Sequence, residues 1–469
     1  MGSKTLENED HREQDPPSND ASNSMGGEPR GTHFSRDGDG CVGSNGGDDE
    51  GDNDDEDAAK DPTATSLTEQ PSADKTKKKR RRPKKKKAKT ATPSQSSPPR
   101  VPLHELFPSE NYPVGELLDH APPAKTTIRA KAQEARTGIP SPIADSTVLK
   151  DYRKAAEVHR QVRRWVQETV KPGQSLTDIA VGIDDGVRAL LGNQGLEPGS
   201  SLQSGLAFPT GLSLNNCVAH YTPNPGQKPV FLQQQDVMKV DFGVHVNGWI
   251  VDSAFTMSFD PTYDNLLAAV KAATNAGIKA AGIDVRICDI SAEIQEVMES
   301  HEVEIRGKMI PVKAVRGLCG HNIKRYRIHG DKTIPFTRNS DETRMEEGEV
   351  FAIETFGTTG RGHLRDGDGV YGYGLNDGVP PRVSLPLASA NRVYKMIREN
   401  FGTIVFSRRY LERLGVERYL AGINCLVANG ILESYPPLMD IPGSYSAQFE
   451  HTVLLQESQK EVISRGVDY

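Results

Sequence analysis

The chain reads as an α+β protein: a pseudo-twofold domain around an antiparallel sheet, preceded by a charged tail and interrupted by a small helical insertion. Three observations carry this reading. An order of helix, helix, strands occurs twice after residue 146, and an Asn-Gly turn joins two apolar strand-like runs. The first hundred residues, by contrast, lack hydrophobic periodicity and hold blocks of opposite charge.

Those blocks are an acidic run, Asp48-Asp49-Glu50 through Asp54-Asp55-Glu56-Asp57, and a basic run from Lys75 to Lys89. They bury too little apolar surface to offset chain entropy, so residues 1–100 are expected to be a disordered tail closed by the Ser/Pro-rich Pro93–Pro99. The net charge of -7 hides the two opposed patches. No apolar run is long enough to span a bilayer, and the polar start from Met1 to Leu6 reads neither as a signal peptide nor as a myristoylation pattern. Five cysteines, odd in number and without Cys-x-x-Cys spacing, argue against a disulfide framework and a zinc finger. A reducing, cytoplasmic setting and no membrane partner are expected.

The globular part begins near residue 101. Val148, Tyr152, Ala155, Val162, Trp165 and Val166 predict a helix from Ser146 to Val170, stopped by Pro172-Gly173. Ser175-x-x-Asp178 resembles a capping box and opens a second helix to about Leu191. Strands follow to Asp260. The order then recurs with helices from Asp264 to Ala281 and from about Asp289 to Ser300. Residues 376–436 change character: Val393/Met396/Ile397, Tyr410/Leu411/Leu414 and Ile423/Leu426/Val427 mark short helices, read as an insertion dividing a domain of 101–375 and 437–469. Arg408, Arg409 and Arg413 are expected on a solvated face of it.

Five residues need explaining. Asp241, Asp252, His321, Glu354 and Glu450 each sit in an apolar, strand-like or glycine-flanked setting. Asn247-Gly248 suits a type I′ turn, because both central residues need positive φ. A two-residue turn sets Val246 against Trp249, Gly243 against Asp252 and Asp241 against Ala254. The two aspartates then share a face as diagonal neighbours, roughly 7 Å apart. Glu354 in Val350–Phe356 and Glu450 in Ala447–Leu455 are acids inside apolar strands, where an unpaired charge costs several kcal/mol. Each alone is more simply paired with a Lys or Arg. Four together with His321 point to a hard or borderline divalent cation, or to two ions about 3.5–4 Å apart sharing bridging carboxylates.

Longer motifs are more specific. Phe208-Pro209-Thr210-Gly211, Asn215 through Pro223, Val240-Asp241-Phe242-Gly243, Gly320-His321 with Tyr326-Arg327-Ile328-His329, Met345 through Gly357, and Ser446 through Thr452 closely resemble the type 2 methionine aminopeptidases of eukaryotes. The resemblance runs from about Val101 to Tyr469 and includes the insertion, which is winged-helix-like in that family. It implies the pita-bread fold and two divalent ions (cobalt, manganese, iron or zinc) on Asp241, Asp252, His321, Glu354 and Glu450. It also implies removal of the first methionine of nascent chains, before a small second residue, by attack of a metal-activated hydroxide. Glu354 would shuttle the proton, and His220 and His329 would hydrogen-bond the scissile amide and its tetrahedral intermediate. Phe208, Ile328 and Tyr435 match positions around the methionine slot; near Gly372, where some relatives carry histidine, this chain has glycine. Nascent N-termini, the ribosome through the basic tail, and the alpha subunit of initiation factor 2 are the partners implied. Proline-directed peptidases of the same fold share the five ligands, whereas noncatalytic ribosome binders on this fold have lost ligands.

Overall fold

The computed structural model describes residues 93–120 and 141–469; both charged blocks, Asp48–Asp57 and Lys75–Lys89, lie outside the described residues. The segment expected to close the tail differs from expectation within its described part. Gln95 Oε1 accepts from the Arg100 and Val101 backbone N–H groups, and its Nε2 donates to Gln161 Oε1 at 2.8 Å. Pro93–Arg100 is therefore fastened to a helix rather than free, because one amide side chain satisfies several backbone groups of a proline-rich turn.

That helix, α1 (Ser146–Thr169), starts where Asp145 accepts from the Thr147 N–H at 2.7 Å. It stops short of Pro172, which disfavours helical geometry in the residue before it. Helix α2 (Leu176–Leu191) opens with Ser175 Oγ accepting from the Asp178 N–H at 3.1 Å and donating to its carboxylate at 2.7 Å. Gly192 closes it at φ 68°, the left-handed position that glycine adopts without penalty.

Strands β1 (Gly211–Leu214) and β2 (Cys217–Ala219) lead to the hairpin of β3 (Val237–Val246) and β4 (Trp249–Ser258). Asn247 and Gly248 have φ of 52° and 81°, and the register pairs Val246 with Trp249, Gly243 with Asp252 and Asp241 with Ala254, as the turn predicts. Helices α3 (Asp264–Ala280) and α4 (Ile287–Glu299) repeat the α1–α2 pair, then come β5 (Cys319–Asn322) and β6 (Val350–Thr358). After β7 (Gly372–Leu375), helices α5 (Ala388–Asn400), α6 (Arg408–Arg413) and α7 (Leu420–Ala428) form the insertion, and β8 (Leu432–Tyr435) pairs back onto β7. The chain then forms β9 (Ser446–Leu455), antiparallel to β6.

The single central sheet expected from the repeat is two sheets. Among the described residues, β1, β3 and β4 belong to a four-stranded sheet, while β5, β6 and β9 belong to a seven-stranded one. They meet where β4 runs beside β9, and hydroxyls replace the ladder there. Thr452 Oγ1 accepts from the Asp252 N–H (2.8 Å) and donates to the Asp252 carbonyl (2.7 Å); Ser253 Oγ donates to the Glu450 carbonyl (2.8 Å); Thr256 Oγ1 bridges both backbone groups of Gln448. Short side chains thus satisfy buried backbone groups that direct pairing would otherwise satisfy. Helix α1 packs on β3 and β4, and α3 on β6 and β9, giving the pseudo-twofold layout. Among the described residues no helix is long and apolar enough to cross a membrane.

Candidate metal centre

The strand seam lies under a cavity of about 360 Å³ whose lining includes Asp241, Asp252, His321, Glu354 and Glu450. Each acid reaches it by strand parity. Asp241 on β3 and Asp252 on β4 are diagonal across the hairpin, and Glu354 on β6 stands directly opposite Glu450 on β9. His321 enters from β5, where its Nε2 lies 3.7 Å from Asp252 Oδ2 and 3.8 Å from Glu354 Oε1. Ligand atoms of Asp252, His321 and Glu450 all fall within 4.8 Å of one another.

The electrostatics of this cluster favour a cation. Loss of water and mutual repulsion push the Asp252, Glu354 and Glu450 carboxyls well above the usual range; loss of water raises Asp241 as well. Burial and the neighbouring His329 push the His321 imidazole down to about 3, leaving it neutral and free to act as a ligand. The alternative of Lys or Arg pairing fails: among the described residues no Lys or Arg forms an ion pair with any of the four acids. Asp241 Oδ1, Asp252 Oδ1 and Glu450 Oε1 are buried with no hydrogen-bond partner. Orphaned carboxylate oxygens beside a neutral imidazole form a donor set that suits a divalent cation.

Sequence reasoning missed Gln448. Its Nε2 donates to Asp241 Oδ2 (3.1 Å), Glu354 Oε2 (3.3 Å) and, more weakly, Glu450 Oε2 (3.5 Å), so one amide orients three acids. The signal was available, since residues 448 and 450 share a face of β9. Lys239, two before Asp241, also lines the cavity; its Nζ donates to the Asn215 carbonyl at 2.9 Å, and burial pushes the ammonium pKa down to about 7.

His220 and His329 both line the cavity. His220 follows β2 at φ 70°, and its Nδ1 is buried without a partner. Loss of water and repulsion from His329 push it down to about 4. The His329 ring stands edge-on to His321, centroids 4.5 Å apart; the residue is exposed, yet surrounding protein still lowers its pKa. Phe208, Ile328 and Tyr435 form an apolar wall, with Tyr435 edge-on to His220 at 5.9 Å. A side chain at Gly372 would meet Tyr435 and Val405 only at ordinary contact distance, 3.5 Å, so the glycine leaves the cavity wider there.

His451 and His245 lie elsewhere. His451 faces away from Glu450, stacks on Tyr469 at 4.5 Å and pairs with Ser464 Oγ at 2.8 Å. His245 packs under the hairpin turn, where its Nδ1 accepts from the Gly248 N–H at 3.3 Å. Arg409, expected on a solvated face, is instead folded inward with its guanidinium against Asp184 at 3.0 Å, because a buried carboxylate on α2 lies within reach.

The model of metallopeptidase family M24 matches residues 150–457. Over 470 residues, covering 100% of both chains, the sequence is 66% identical to methionine aminopeptidase 2-2 of Aspergillus flavus. It is 58% identical, over the same 470 residues and with full coverage of both chains, to methionine aminopeptidase 2-2 of Talaromyces marneffei. Among solved structures, that of a thermophilic Arx1 superposes with a TM-score of 0.58 at 18% identity, covering 69% of this chain and 92% of that one, a likeness of fold.

Proposed function

Since the chain belongs to metallopeptidase family M24 and, within it, to the type 2 methionine aminopeptidases, a metal-dependent group of hydrolases, we propose that it removes methionine cotranslationally from nascent chains with a small second residue. The supporting observation is the set of four acids and one imidazole, three of its oxygens unpartnered, at the floor of an apolar-walled cavity.

In this reading Asp241, Asp252, His321, Glu354 and Glu450 hold two divalent cations, with cobalt, manganese, iron and zinc all compatible with the donors. When bound, the pair supplies Lewis acidity, which makes water a nucleophile near neutral pH. Glu354 would take a proton from the attacking water and hand it to the leaving amine. Gln448 holds three of the carboxylates in position through its amide. His220 and His329, neutral at physiological pH, hydrogen-bond the scissile amide and the charge developing on its oxygen. Phe208, Ile328 and Tyr435 take up the methionine side chain, whose flexible thioether adapts to an apolar slot.

The domain of 101–375 and 437–469 carries this chemistry, with 376–436 as a winged-helix-like insertion and 1–100 as a charged tail. A nascent-chain substrate fits a cytoplasmic setting beside the ribosome, with the Lys/Arg-rich tail contacting ribosomal RNA and the alpha subunit of initiation factor 2 as a further partner. Elemental analysis of the purified chain, followed by stripping and re-addition of each metal while Met-Gly-X and X-Pro peptides are assayed, tests the core of this reading. Two metal equivalents and a preference for Met-Gly-X are expected. Faster cleavage of X-Pro peptides, or turnover saturating at one equivalent, would refute it.

A further inference from the structure

Arg409 connects the helical insertion to two walls of the cavity. Its side chain is 9% exposed and forks inward from α6. Nη1 donates to Thr222 Oγ1 at 2.6 Å and to the Pro223 carbonyl at 2.7 Å, while Nη2 donates to Asp184 Oδ2 at 3.0 Å. Asp184, on α2, is 3% exposed, and its Oδ1 accepts from Thr210 Oγ1 at 2.6 Å. Next to Arg409, Tyr410 donates its hydroxyl to the Phe208 carbonyl at 3.3 Å. The fork therefore grips two stretches, 208–210 and 220–223, that both wall the cavity.

One member of the second stretch needs such a grip. His220 sits at φ 70°, a region that a residue with a side chain occupies only when its surroundings enforce it. A buried ion pair by itself is weak evidence for stability, because desolvation offsets much of the attraction. The planar fork, which reaches a hydroxyl, a carbonyl and a carboxylate together, is geometric control that lysine cannot supply.

We propose that Arg409 is a positioning residue for peptide-bond hydrolysis: it fixes His220 through Thr222 and Pro223, and Phe208 through Asp184 and Thr210. The insertion is then a working part of the site. This rests on the reading of His220 as a substrate-facing imidazole.

Met-Gly peptide hydrolysis by the full metal-loaded chain tests it with Arg409→Lys, Thr222→Val and the double variant. Arg409→Lys keeps a cation for Asp184 but loses the fork. It should lower kcat on the order of 10-fold, since small displacements of catalytic groups are costly. KM, metal content and thermal midpoint should change little. Thr222→Val should lower kcat in the same direction, about 3-fold. The double variant should be no slower than Arg409→Lys, because both changes break one link. Parent-like kcat in Arg409→Lys, or losses that multiply in the double variant, would overturn the proposal; should Arg409→Lys not fold, parent-like kcat in Thr222→Val overturns it alone. A parent chain inactive on Met-Gly refutes the methionine reading itself, and the proposal with it.

Discussion

Glu354 and Glu450 are directly paired across the β6–β9 ladder, a like-charge pair at a register position where such pairs are destabilising. Among the described residues no Lys or Arg pairs with either, so the position suits a positive occupant. Glu354→Gln should therefore separate two properties. In metal-free protein it should raise the thermal midpoint, because one repelling charge is gone. With metal restored, kcat should fall by about 10²–10⁴-fold, the usual range for losing a positioned proton-transfer group. Differential scanning calorimetry and peptide turnover read the two effects; a metal-free midpoint that drops would contradict the repulsion argument.

The pH dependence of metal-free stability has a definite sign. Asp252, Glu354 and Glu450 have folded pKa values raised above their unfolded ones. The stability they contribute is present below about pH 4 and is lost as pH rises through the raised values. His159, His245, His321 and His451 are depressed, so their contribution is present above about pH 6.5 and lost as pH falls. The part of metal-free stability that depends on Asp252, Glu354 and Glu450 should therefore fall as pH rises above about 4 and through their raised values. Adding a divalent cation should remove that decline in thermal melts across the same pH series; a decline of equal size with metal bound would count against the site.

In the proposed reaction His220 and His329 would act as neutral rings. Replacing either by alanine should reduce kcat by about 10²–10³-fold, as for loss of an oxyanion-directed donor, with metal content unchanged. Since His220 is held down to about 4, its replacement should leave the acid limb of the kcat/KM profile near neutral pH where it was. A limb that moves with His220→Ala would assign that titration to the imidazole instead.

Strand register was legible because Asn247-Gly248 admits one turn type, and the turn then fixes every pairing in β3 and β4. The acids stood out because charge is costly in apolar strands. Gln448 did not, since a neutral amide in a strand carries no such cost, and its place on the same face of β9 as Glu450 was the one sign of its three carboxylate neighbours. Arg409 was misread for a related reason: a short helix rich in arginine looks solvated, and its partner Asp184 lies 225 positions away. The split of the central sheet was equally hidden, because Thr452, Ser253 and Thr256 look like ordinary strand residues whether their hydroxyls replace a ladder or not.

Gly243 controls the apolar wall. A methyl group built there would collide with the Phe208 ring and come within 2.9 Å of the Ala207 Cβ. Overpacking of this kind costs about 1–3 kcal/mol, and here it displaces Phe208, which is proposed to bound the methionine slot. Gly243→Ala should raise KM for Met-Gly about 10-fold with a smaller change in kcat, the signature of weakened binding in ground and transition state alike. Steady-state kinetics on a Met-Gly series decides it; unchanged KM would show that Phe208 does not bound the slot.

Residues 75–89 carry 12 lysines and arginines, a density suited to phosphate backbones rather than to peptide chemistry. If the tail docks the enzyme at the ribosome, its contribution is counterion release, which weakens steeply with salt. Deleting 75–89 should lower cosedimentation with ribosomes at low ionic strength and flatten its salt dependence. Hydrolysis of a Met-Gly dipeptide should be unaffected, because the substrate is free and the described residues that line the cavity lie between Phe208 and Glu450. Cosedimentation that persists unchanged in the deletion would move ribosome contact to the folded domain, and loss of dipeptide turnover would show that the basic run serves the cavity itself.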